Sequence, residues 1–153
     1  DLDGNIKDSD KSPSSEYRFH VALYKKRSDI SAIVHTHSDY ASTIACLGIE
    51  LPAVHYMIGF SGNKVPLAPY QTFGTQALTD SIIQNIQNYN AILLENHGLI
   101  ALGNSISRAY ACAEAIEYVS KVYVKAKSIG EPKVLSDDEM KVVIQKFKSY
   151  GQQ

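Results

Sequence analysis

Two apolar runs separated by a tight turn constrain this chain more than any other feature. Ala91-Ile92-Leu93-Leu94 and Leu99-Ile100-Ala101-Leu102 flank Asn96-His97-Gly98. Runs this short and this apolar, bounded by turn residues, read as buried strands, and the turn between them makes them antiparallel neighbours. A sheet with helices around it is therefore expected, and His97 sits exposed at one end of that sheet.

The rest of the chain supplies the helices and further strands. Ser14-Ser15-Glu16 has the composition of a helix start, with serine to cap free amides and glutamate to favour the first turn, and the helix is expected to run to about Lys25-Lys26-Arg27. Ala32 to Thr36 reads as a strand, followed by a helix that Ser38-Asp39 caps and Gly48 stops. Ala53 to Ile58 reads as another strand carrying His55 and Tyr56, with a short strand near Val65-Pro66-Leu67. Gly74-Thr75 opens a helix with Leu78, Ile82 and Ile86 on one face, and Ser105 to about Ser128 forms the longest helix. Ser136 and Glu139 make a capping box for a last helix that buries Met140, Val143, Ile144 and Phe147.

One domain spanning residues 1–153 is expected, since 44% hydrophobic and 20% charged residues suit a single core of this size. The net charge of −1 with interspersed signs excludes a basic face for nucleic acid and a polybasic membrane anchor, and no run approaches a bilayer span. Cys46 and Cys112 lie in apolar helical patterns, which fits buried thiols in a reducing, cytoplasmic compartment. Asp1-Leu2-Asp3-Gly4-Asn5 reads as the turn of a hairpin whose first strand is absent, so a preceding N-terminal segment is expected.

The chemistry concentrates in Ile33-Val34-His35-Thr36-His37. Alternate residues of a strand share a face, so His35 and His37 point the same way and can clamp one ion; a histidine pair packed at a strand end is the plainer alternative. Neutral imidazoles favour a transition metal such as zinc, and a catalytic zinc takes three protein ligands with one open position. His97 is the best third ligand, being at a sheet end, whereas His20 and His55 sit inside apolar patterns that suit core histidines. Glu16, at a helix start, is the natural acid–base group. Ser14 and Ser15 beside it offer a seat for phosphate, or simple capping.

Taken together, the chain resembles the class II aldolase/adducin family. The matching segments are Ser14 to His20, His35-Thr36-His37, Pro52 to Ile58, Ala68 to Thr75, Asn96 to Ala101, Val134 to Asp137 and Lys146 to Gly151. The resemblance implies a three-layer α/β/α fold with a central mixed, mostly antiparallel sheet. It implies one Zn2+ per subunit on His35, His37 and His97, with Glu16 as a fourth ligand in the empty site and the proton-transfer carboxylate when substrate binds. It assigns phosphate to Ser14 and Ser15 and a hydrophobic wall to Phe73 and Phe147. A C4 homotetramer is implied, in which Tyr56 and Tyr150 reach a neighbour's site, Tyr56 as proton donor near the aldehyde. The implied activity is cleavage of a ketose 1-phosphate, L-fuculose 1-phosphate first, to dihydroxyacetone phosphate and a small aldehyde such as lactaldehyde. Ribulose-5-phosphate 4-epimerase chemistry, a 5-deoxypentulose 1-phosphate aldolase and a non-catalytic adducin-like module are the alternatives.

Overall fold

The computed structural model describes residues 1–7 and 10–149, with residues 148 and 149 given by backbone alone. Within them the order is α1 (Tyr17–Lys26), β1 (Ala32–Thr36), α2 (Asp39–Cys46), a 3-10 helix (Tyr56–Phe60), β2 (Leu67–Ala68), α3 (Gln76–Ile86), β3 (Ala91–Leu94), β4 (Gly98–Gly103), α4 (Ile106–Lys127) and α5 (Asp137–Ser149). The four described strands form one sheet in the order β1-β4-β3-β2. β1 and β3 run antiparallel to β4, and β2 runs parallel to β3.

The strand period of two divides the core into two halves. Ile92, Leu94, Ile100 and Leu102 meet Phe19, Leu23, Ile82 and Ile86 of α1 and α3 on one face. Ala91, Leu93, Leu99 and Ala101 meet Ala41, Ile44, Ile116 and Val119 of α2 and α4 on the other. Every residue of β3 is buried because both faces are covered, which is why that strand is continuously apolar. The architecture is the expected three-layer α/β/α arrangement around a mixed sheet.

Several local expectations hold. Thr75 caps α3 by accepting from the Leu78 amide at 3.2 Å, Ser105 caps α4 through the Arg108 amide at 3.2 Å, and Ser136 accepts from the Glu139 amide at 3.2 Å. Others are corrected. Ala53 to Ile58 is not a strand: from Tyr56 it winds into the 3-10 helix, with the His55 ring Nδ1 accepting from the Met57 amide at 3.3 Å. A side-chain cap there competes with the strand propensity of this segment. The short strand moves to Leu67–Ala68, because Val65 is taken by an isolated antiparallel bridge to Leu51 and Pro66 has no amide to give. Cys112 is buried but Cys46, at the end of α2, is exposed. No described helix is long and apolar enough to cross a membrane.

Candidate active site

His35 and Ile33 lie on the α1 side of β1, so the strand aims the His35 ring at the start of α1, edge-on to Phe19 with ring centroids 5.5 Å apart. Its Nδ1–H donates to the Leu99 carbonyl at 2.9 Å, which turns Nε2, now an acceptor, into the cleft. His37 lies just beyond the strand, its Nε2 3.1 Å from that of His35. His97 arrives from the β3–β4 turn, where Asn96 takes a left-handed φ of 54°. Gly98 is required there: a Cβ on it would overlap the Thr36 carbonyl oxygen and press on the His37 ring. The absence of a side chain at 98 thus lets the turn close on the end of β1, and the three rings converge with centroids 4.8 to 5.0 Å apart.

Glu16 completes the cluster from the N-cap position of α1. Its Oε2 lies 3.1 Å from His35 Nε2 and its Oε1 3.4 Å from His97 Nε2, and the side chains of Glu16, His35 and His97 are each 14% exposed. Oε1 is buried without a hydrogen-bond partner, the His97 approach lacking the geometry of one. Burial pushes His35 and His97 below the ordinary histidine pKa, so the neutral rings present lone pairs rather than protons. One ligand atom from each of Glu16, His35, His37 and His97 lies within 4.8 Å of the others. An acceptor-rich cluster with an orphaned carboxylate oxygen and too few donors fits a bound cation.

Beside it a cleft of about 310 Å3 is lined by Ser14, Ser15, Glu16, His37 and His97 together with Phe73. The serines do not cap α1: Ser14 Oγ accepts from the Glu16 amide at 3.3 Å, one residue before the helix, and Glu16 occupies the cap position without a side-chain hydrogen bond. Tyr70, Gln71 and Asn96 line the same cleft and were not singled out from the sequence. Their signal was adjacency, to Phe73 and to His97. The Tyr70 amide donates to Glu95 Oε2 at 2.8 Å, and Gly74, with φ of 73°, packs against the Ser15 carbonyl, so the loop is fastened across the cleft.

Tyr56 and Phe147 are not brought to this cleft within one chain. They stack on each other near Phe60, with centroids 6.2 Å apart and planes 10° from parallel. Tyr150 lies outside the described residues. His20, stacked on Phe19 at 4.6 Å, and His55 stay out of the cluster.

The Class II Aldolase and Adducin N-terminal domain matches residues 1–124. The chain belongs to the class II aldolase and adducin family. Its sequence is 52% identical over 152 residues to the 5-deoxy-D-ribulose 1-phosphate aldolase of Bacillus thuringiensis serovar kurstaki, covering 99% of this chain and 71% of that protein. It is 42% identical over 153 residues to the L-fuculose phosphate aldolase of Escherichia coli K12, covering 98% of this chain and 71% of that protein. A solved structure of an L-fuculose 1-phosphate aldolase superposes with a TM-score of 0.95 at 42% identity, over 97% of this aldolase-family chain and 70% of that one.

Proposed function

We propose that this class II aldolase holds one Zn2+ per subunit on His35, His37, His97 and Glu16 and cleaves a deoxyketose 1-phosphate to dihydroxyacetone phosphate and a short aldehyde. The observation that carries the reading is the convergence of three imidazoles on a buried carboxylate with an unpaired oxygen, next to two exposed serines. Mixed imidazole and carboxylate donors suit zinc better than magnesium or calcium. Bound there, the cation supplies Lewis-acid stabilisation of the negative charge that develops when the carbon–carbon bond breaks.

The chain's own groups do the rest. Ser14 and Ser15 donate hydroxyl protons to the phosphate on C1 and so fix the ketose in the cleft. Cleavage breaks the C3–C4 bond; the C4 hydroxyl loses its proton as C4 becomes the aldehyde, and the electron pair stays with C3. Glu16 is a metal ligand before substrate enters; freed when substrate binds, it takes up a proton from solvent and delivers it to C3, the C4 hydroxyl proton leaving to solvent by way of Tyr56, and both transfers reverse in the condensation direction. Tyr56 exchanges a proton with the aldehyde oxygen in a neighbouring subunit's site, to which we also assign Tyr150, and Phe73 and Phe147 contribute to the hydrophobic wall near the aldehyde. This division of labour requires the C4 tetramer.

The substrates named for the two relatives differ by one carbon in the aldehyde they would release: acetaldehyde from 5-deoxy-D-ribulose 1-phosphate and lactaldehyde from L-fuculose 1-phosphate. Identities of 52% and 42% put the former first in an assay panel and the latter second. The test is turnover of both by the purified protein with and without a chelator. Metal-dependent appearance of dihydroxyacetone phosphate is expected. Inversion without triose phosphate would instead indicate an epimerase, and Zn2+-loaded protein that turns over neither would favour the adducin-like module.

A further inference from the structure

The three histidines are held in place differently. His35 is fixed by the Leu99 carbonyl, and His97 by a turn that Asn96 and Gly98 define. His37 lies one residue past the end of β1 and is exposed, and its ring has no backbone partner among the described residues. Immediately after it α2 begins. Ser38 stands at the cap position with extended backbone (φ −67°, ψ 145°), yet its hydroxyl caps nothing. The amides of Tyr40 and Ala41, the two that a cap ordinarily takes, instead donate to Glu117 Oε1 and Oε2 at 2.9 and 2.8 Å. Glu117 comes from α4, where its neighbours Ile116, Val119 and Ser120 are buried in the core.

We propose that Glu117 is a positioning residue for the metal cluster: its carboxylate anchors the first turn of α2 and thereby sets His37 against His35 and His97. Both oxygens are engaged, so the carboxylate is fixed in orientation as well as place, and a negative charge on free amides at the positive end of a helix makes strong, short bonds. The anchor reaches from a helix locked by its own buried face, which gives α2 a fixed origin that Ser38 does not provide. The inference rests on the reading of the cluster as a metal site.

Glu117→Ala is expected to weaken Zn2+ binding about 10- to 100-fold in a chelator competition, the usual cost of losing an outer-sphere support. Glu117→Gln keeps one carbonyl acceptor and should fall in between. Val119→Ala, on the same helix, opens a cavity and lowers stability but should leave the affinity unchanged. In metal-free protein, Glu117→Ala should speed amide exchange at Tyr40 and Ala41 and move the ring nitrogen resonances of His37 more than those of His35. Equal loss of affinity in Val119→Ala and Glu117→Ala, or unmoved His37 resonances, would overturn the assignment. Wild-type protein that takes up no Zn2+ overturns the metal reading instead, and the resonance comparison then decides the role of Glu117 by itself.

Discussion

The two ends of the sheet both gather ionisable side chains, and they resolve them in opposite ways. At the Ala32–Gly103 end, the Arg27 side chain is 10% exposed and four of its five N–H groups are engaged: it donates twice to Asp29 at 2.7 Å, to the Tyr89 carbonyl at 2.9 Å and to Asn90 Oδ1 at 2.9 Å. At the Thr36–Leu99 end, three imidazoles and Glu16 face one another with acceptors in excess. A cleft of about 460 Å3 lies at the satisfied end and one of about 310 Å3 at the unsatisfied one. Volume is therefore a poor guide to chemistry here. A polar cluster that balances its donors and acceptors holds a fold together, whereas one that does not is built to receive something.

His97→Ala should break this contrast most severely. Loss of one of the three imidazoles removes a proposed metal ligand, so Zn2+ content should fall below one per subunit and kcat/KM should drop by about a thousandfold or more, a cation being worth several kcal/mol to such a reaction. The metal-free protein should unfold within about 1 kcal/mol of wild type, since no donor–acceptor pair of the fold is lost. Metal analysis beside denaturant unfolding checks both. Glu16→Gln comes next: the metal should stay bound while exchange of the C3 proton of dihydroxyacetone phosphate falls by about 10²- to 10⁴-fold. Its new amide donor also relieves the excess of acceptors, so the metal-free variant should be as stable as wild type or more so. Undiminished exchange would remove Glu16 from the proton transfer.

That contrast was partly legible in the sequence. Strand periodicity placed His35 and His37 on one face, and the apolar runs around Asn96-His97-Gly98 gave both the hairpin and the third imidazole. The need for Gly98 was not legible, because the clash it avoids is with Thr36, on a strand more than sixty residues earlier. Nor was the Glu117 anchor, for the same reason: local patterning names Ser38 as the cap, and only the packing of α4 against α2 offers a better acceptor. The strand expected at Ala53 to Ile58 failed where a side chain, His55, supplied a local hydrogen bond that no propensity rule weighs. Exposure of Cys46 is likewise decided by where α2 ends, not by its apolar pattern.

Arg27→Ala tests the opposite end. It strips hydrogen bonds from the Tyr89 carbonyl and Asn90, both half-buried, and should cost about 2 to 4 kcal/mol of stability with Zn2+ content unchanged. Metal loss in this variant would mean that the two ends are not independent.

Asp29→Asn is the mildest perturbation and sharpens the comparison through its pH dependence. Arg27 beside Asp29 holds the carboxyl below its ordinary pKa of 3.8, chiefly by hydrogen bonding. The unfolded chain therefore binds this proton more readily than the folded one, so the ion pair stabilises the protein above that pH and the gain fades as pH falls through the folded value. Asp29 is 64% exposed, which screens the pair and limits its worth at pH 7 to below about 1 kcal/mol. Urea midpoints of wild type and Asp29→Asn should thus differ slightly at pH 7 and converge below 3.8. A gap that persists in acid would assign the difference to packing at this end rather than to charge.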